Sequence, residues 1–307
     1  IAATGHYPVM EVPEVFEFAH RWWLTFNTHS GWGRRLDTQS RRRTGGTYYL
    51  SAPGPEGPWS RPPDNLLIGS GEGRRDAVVA RSVEYRGQRI VYHHYTGPVE
   101  ANSPRALGLP KLLDCEADRL VLRPWDGLPK LWDGDATLSG WEPLTAEPWA
   151  PAEWEMSPVR VHGTCPNGVA ACRSQVSQPD LDLKITLSIR WGERAGLALG
   201  SGPEMSGGVC VLMDALRDEV TLSYVRRATY GILLDDTIDR CLRPVHTGAE
   251  YTIRLLRRDR YVDVYVDDVL VFCTIVEPSP IGNPWLAAII ESGEVHFELL
   301  RVNSLES

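Results

Sequence analysis

Helical periodicity is almost absent from this chain, and short runs of aromatic and β-branched residues bounded by Gly, Pro, Asp or Asn recur in its place. The runs over 15–28, 46–52, 75–85, 87–95 and 118–124 have the length and the turn chemistry of antiparallel sheets. They make the first 135 residues a set of small β-meanders. After residue 158 the runs become longer and cleaner, with eight between 181 and 303. Tyr261-Val262-Asp263-Val264-Tyr265-Val266 alternates strictly and sets Val262, Val264 and Val266 on one face. Strands of this kind and number form a two-sheet sandwich of the jelly-roll type.

A chain of 307 residues exceeds one average domain and asks for two cores. The texture places the meanders in 1–132, a linker rich in Trp, Pro, Glu and Gly in 133–157, and the sandwich in 158–307. No window approaches 18 uninterrupted apolar residues, so no membrane-spanning helix is expected. The net charge of −8 is uneven: residues 1–135 carry +1 and the remainder −9. Binding to a nucleic-acid duplex needs a concentrated basic stripe, so no nucleic-acid partner is expected. Arg34, Arg35, Arg41, Arg42 and Arg43 form a small basic cluster between two strand-like runs, which reads as a solvated loop. The six cysteines are too sparse for a disulfide scaffold, show no CxxC spacing, and meet no histidine pair that completes a zinc set. Neither a metal nor another cofactor is expected. Cys210 and Cys273 lie in apolar runs as buried thiols, and Cys165 and Cys172 stand close enough to bridge a short loop. This cysteine usage favours a reducing, cytoplasmic compartment over a secreted one. The sequence starts at Ile1 without a leader, so any targeting peptide is expected to lie outside it.

Two acid-bearing segments stand where a propeller-like part would gather functional groups, at the start of a blade's first strand. In Glu11-Val12-Pro13-Glu14-Val15-Phe16, a carboxylate precedes a strand that runs on to Trp22 and Trp23. Strict alternation would put Glu11 and Glu14 on opposite sides, so only one acid could face a pocket. The plain alternative makes both of them rim charges. In the second segment, Arg75-Asp76 precedes Ala77-Val78-Val79, and an acid beside an arginine can hold sugar hydroxyls through charge-assisted bonds, although most such pairs are surface ion pairs. His93 and His94 point to opposite faces of their strand, and a structural role suits either. Eight of the eleven tryptophans precede residue 150, which is compatible with sugar stacking and equally with blade cores.

These residues carry a resemblance. Glu11-Val12-Pro13-Glu14-Val15-Phe16 before a Trp-rich strand resembles the Glu-Cys-Pro-Asp-Leu-Phe segment of the invertase, levanase and inulinase glycosidases, glycoside hydrolase family 32. Tyr48-Tyr49-Leu50-Ser51 with Gly57-Pro58-Trp59 resembles a blade ending found there and in the arabinanase and xylosidase relatives of family 43. Gly71-Glu72-Gly73 through Tyr92-His93 is similar to a late blade of the latter group. Leu107-Gly108-Leu109-Pro110-Lys111-Leu112-Leu113, then Asp118 to Pro124, looks like the closing segment of the former, which also carries a C-terminal sandwich.

The resemblance is scattered but collinear, and it implies an all-β chain: a partial five-bladed β-propeller followed by a concanavalin-like β-sandwich. It makes Glu11 the general acid/base and Asp76 a substrate-hydroxyl ligand, with Arg75, Trp23, His29 and His93 as further substrate-binding candidates. The chain departs from the pattern in three ways. Val12 replaces the Cys after the acid, the family's Asn-Asp-Pro and Arg-Asp-Pro segments occur nowhere, and about 130 residues are too few for five blades. A missing N-terminal segment, a second chain or a second copy is therefore expected to complete the propeller. The implied activity is two-carboxylate cleavage of a fructoside, furanoside or related glycan. The rival is a non-catalytic carbohydrate-binding protein, a degenerate propeller with a lectin-like sandwich, and a third reading is a scaffold with no ligand.

Overall fold

The computed structural model describes residues 7, 9–28, 45–69, 77–95, 106–144, 151–202, 205, 208–228, 231–276 and 282–305. Among them there is no α-helix, and Leu128–Leu131 forms a single 3₁₀ turn. Contacts divide the chain into two units, Ile1–Leu128 with Phe272–Ile275, and Pro129–Val271 with Val276–Ser307.

The first unit holds two antiparallel meanders. One runs through β1 (Glu11–Phe18), β2 (Arg21–Thr28), β3 (Gly46–Ala52) and β4 (Leu66–Gly69) in chain order. The other runs through β5 (Ala77–Tyr85), β6 (Gln88–Tyr95), β8 (Lys111–Glu116) and β9 (Arg119–Pro124), with the short β7 (Ala106–Leu107) also on β6. A four-stranded meander is the repeating unit of a propeller blade. Two-residue hairpin turns at Ala19-His20, Arg86-Gly87 and Ala117-Asp118 have positive φ at both positions, the twist that matches the flanking strands. Leu24, Phe26, Tyr48 and Leu50 form the core on one face of the first meander, with Tyr7, Met10, Trp59 and Leu66 packed against them.

The second unit contains β10 (Trp132–Asp135), β11 (Glu142–Leu144), β12 (Glu153–Met156), β13 (Arg160–Gln175), β14 (Leu181–Ser201), β15 (Gly208–Asp214), β16 (Glu219–Ala228), β17 (Gly231–Leu242), β18 (Glu250–Arg258), β19 (Tyr261–Val266), the start of β20 (Val269–Ile275) and β21 (Pro284–Leu305). Segment 133–157, read from the sequence as a linker, supplies strands here: β10 pairs with β21, and β11 and β12 pair with β13. The two long strands β14 and β21 pair along almost their whole length, and β14 changes its other neighbour midway. Residues 181–188 pair with β18 and residues 194–200 with β15. The ladder therefore folds over between them and forms both layers of the sandwich from one continuous set of strands.

The fold-over is made by local irregularities. Register shifts fall between Ile189 and Trp191 and, on β13, between Cys165 and Val169. Gly192 has φ +119°, and a Cβ there would lie 2.3 Å from the Gly293 Cα, so this corner needs glycine on both strands. Ala171, Ala198, Cys210, Leu212, Trp285 and Ile289 lie in the core of one half, and Leu183, Ile185, Leu187, Ile253 and Leu255 are buried in the other. Val262, Val264 and Val266 are fully buried as alternation requires, but Asp263 and Tyr265 on the opposite face are buried too. None of the six cysteines is in a disulfide, so Cys165 and Cys172 form no bridge.

Candidate functional site

The acid-bearing strand does not alternate as its sequence suggests. Glu11 pairs with Asn27 and Glu14 with Thr25, three residues of β1 against two of β2, and Val12 inside this bulge has φ +50°. Paired residues share a face, so Glu11 and Glu14 lie on the same side as Asn27, Thr25 and Trp23. The expectation that only one acid could face that side is corrected by the extra residue. On β3 the same face carries Thr47, Tyr49 and Ser51, which makes it a polar surface opposite the Leu24–Phe26 core.

Glu14 accepts hydrogen bonds from the Ser82 amide at 3.0 Å and the Ser82 hydroxyl at 2.9 Å. Arg89 donates to the same hydroxyl, and Arg81 donates to the Pro13 carbonyl. Glu14 thus braces β1 against β5. Glu11 sits half-buried at the start of β1.

A second bulge lies on β5 between Val78 and Arg81, with Val79 at φ +54°. The side chains of the polar face take up the amides there: Val79 donates to Asn27 Oδ1 at 3.4 Å and Ala80 to Thr47 Oγ1 at 2.9 Å. Thr25 Oγ1 and Asn27 Nδ2 remain buried without a hydrogen-bond partner among the described residues. Burial pushes the Tyr49 phenol up to about 12, and its hydroxyl donates to the Asp64 carbonyl.

Trp23, expected to stack on substrate, is fully buried, donates from Nε1 to the Phe18 carbonyl, and meets Tyr49 edge-to-face. It offers no ring face to a ligand. His93 is buried as well. Its Nε2 lies 3.2 Å from the Cys273 sulfur, its ring meets Tyr95 edge-to-face, and a Cβ on Gly108 would stand 1.9 Å from its Cε1. Burial, with Lys111 nearby, holds the His93 imidazole well below its ordinary range, so it is a neutral core residue rather than a substrate ligand. Arg75, Asp76, His29 and the arginine cluster of 34–43 fall outside the described residues.

Sequence reasoning missed a cluster in the second unit. An open groove of about 810 Å³ crosses the sandwich, with Arg160, His162, Ser188, Glu250, His296 and Glu298 among its lining residues. His162 pairs directly with His296 across β13 and β21, Ser188 is the β14 neighbour of His296, and Glu155 is the β12 neighbour of His162. The two imidazoles stack with centroids 4.1 Å apart and planes 7° apart. Glu294, two residues before His296 and on its face, places Oε1 3.3 Å from His162 Nε2 and 3.6 Å from His296 Nε2. Its other oxygen accepts from Trp191 Nε1 at 3.0 Å, and this bond leads the causes that hold its carboxyl below the usual range. Desolvation and the neighbouring His162 and Arg190 lower His296. The 133 residues between the two histidines hide the cluster from any motif, and Glu294-Val295-His296 is its only local signal.

No family model matches the chain, and no curated protein is similar to it at a significant level. Solved structures are similar to it in fold. A family 32 β-fructofuranosidase from Bombyx mori matches with a TM-score of 0.60 at 14% identity, over 96% of this chain and 54% of that one. A fructofuranosidase from Schwanniomyces occidentalis complexed with fructosylnystose matches with a TM-score of 0.57 at 11% identity, over 96% and 59%. A family 32 glycoside hydrolase from Bifidobacterium adolescentis matches with a TM-score of 0.56 at 11% identity, over 97% and 41%. The chain spans about half the length of these structures. The likeness fits an all-β chain of propeller-type sheets followed by a β-sandwich, with a glycoside-hydrolase-like fold.

Proposed function

We propose that the polar face of the first meander is the acid/base half of a glycosidase site acting on a fructoside, furanoside or related glycan, with Glu11 as the proton donor to the leaving oxygen. The observation that carries this reading is the β1 bulge. It puts Glu11 on the same face as Thr25 and Asn27, whose polar atoms without a partner among the described residues suit sugar hydroxyls. The fold likeness to fructofuranosidases supports the same substrate class. Two-carboxylate cleavage needs a second acid to attack the anomeric carbon or to activate water. A further segment, a second chain or a second copy would supply it and complete the propeller, with Asp76 as a ligand to a substrate hydroxyl.

The test is hydrolysis of sucrose and short fructo-oligosaccharides by the full chain and by Glu11→Gln. The variant keeps the shape of the side chain and loses its proton, so turnover should fall about 10²–10⁴-fold. A substrate with a good leaving group should be affected much less. Full activity in Glu11→Gln would overturn the assignment. A second reading, glycan binding without cleavage, is favoured by the open sandwich groove and the exposed Trp191 beside it. In that case the full chain binds oligosaccharide without hydrolysing it, and Trp191→Ala abolishes binding while Glu11→Gln leaves it intact.

A further inference from the structure

We propose that His162, His296 and Glu294 form a binding site for a divalent transition-metal ion of the zinc class on the sandwich face. The inference is independent of the reading of Glu11. Three potential ligand atoms, one from each residue, lie within 4.8 Å of one another. Their neighbours orient them. Glu155 Oε2 faces His162 Nδ1 at 3.6 Å, which favours the ring proton on that nitrogen and turns the Nε2 lone pair towards the cluster. Trp191 occupies Oε2 of Glu294, which leaves Oε1 facing both imidazoles. A carboxylate behind one ligand and an indole N–H behind another repeat the supporting contacts that orient ligands in metal sites.

The chemistry of the set selects the ion. Two imidazole nitrogens and one carboxylate oxygen suit zinc, cobalt, nickel or copper(II), whereas calcium and magnesium take all-oxygen shells. The stacked rings hold their lone pairs side by side, so binding requires one ring to turn about its Cβ–Cγ bond. That torsion is soft, and the His296 side chain is 42% exposed. The bound ion would clip β13 to β21, and three protein donors leave its fourth position open to the groove.

The experiment is calorimetric titration of the full, chelator-treated chain with zinc chloride at pH 7.5, with calcium chloride as the control metal. One zinc per chain is expected, with no response to calcium, and zinc should raise the melting temperature as binding to the folded state requires. His162→Ala and His296→Asn should each weaken binding at least about tenfold and remove the thermal shift, and Glu294→Gln should weaken it as well. His246→Ala, at an exposed histidine outside the cluster, should leave it unchanged. All of these residues are at least partly exposed, and an unaltered circular dichroism spectrum checks that each variant folds. Absence of zinc binding, or affinity undiminished in both histidine variants, overturns the site.

Discussion

Glu14 and Glu11 are three residues apart and share a face. Because the Glu14 carboxylate takes both the amide and the hydroxyl of Ser82, Glu14→Gln should cost about 1–2 kcal/mol, less than a fully buried charged pair of bonds because the side chain is half exposed. Urea denaturation of the full chain reads this directly, and an unchanged midpoint would mean that the brace is idle. His93 gives a second residue-level outcome. Its folded-state pKa is depressed, so the unfolded chain takes up the proton first. The stabilisation is complete above the ordinary imidazole value of about 6.5 and is lost as pH falls below it, at up to about 1.4 kcal/mol per pH unit. Melting temperatures between pH 7.5 and 5 should therefore fall more steeply for the wild type than for His93→Asn; parallel curves would contradict a neutral buried imidazole. Asp182 is fully buried between Arg254, bound through two hydrogen bonds, and Arg301. Asp182→Ala should cost about 3–5 kcal/mol, since it strands charge in the interior.

At the scale of elements, the corner in β14 depends on backbone that only glycine adopts freely. Gly192→Ala should destabilise the sandwich by about 1–3 kcal/mol, measured by thermal unfolding, whereas Gly54→Ala, where an added Cβ meets nothing within 4 Å, serves as the control. The strands themselves were legible, because runs such as 46–52 and 261–266 carry their aromatic and β-branched content in plain view. The bulges were not. Nothing in Glu11-Val12-Pro13-Glu14 marks Val12 as the extra residue, and one such residue reversed which side Glu14 faces. The hairpin turns were equally silent, since Ala19-His20 and Ala117-Asp118 lack the Asn-Gly signature of their geometry. Of the candidate site, Glu11 was visible through its motif. The His162–His296 pair was not, because cross-strand neighbours far apart in sequence leave no spacing to read. The burial of Trp23 was hidden for a similar reason: whether an aromatic ring faces solvent or a core depends on what covers it, and alternation does not say.

At the scale of the whole molecule, strands β10 to β12 belong to the sandwich sheet, which sets where the chain can be cut. A fragment of residues 129–307 should unfold cooperatively and melt at a higher temperature than one of residues 158–307, which lacks those strands. Equal melting temperatures would make the three strands ornamental. The first unit is not contiguous, since it includes Phe272–Ile275, and Cys273 there lies 3.1 Å from the Tyr95 hydroxyl. This has a consequence for the chain as it is made. A ribosome that has released Leu128 must add 147 more residues before Ile275 emerges, a delay on the order of ten to thirty seconds at bacterial-to-eukaryotic elongation rates. For that interval His93 and Tyr95 wait without their sulfur partner, so the N-terminal half, although synthesised first, closes its interior only when most of the chain has been made.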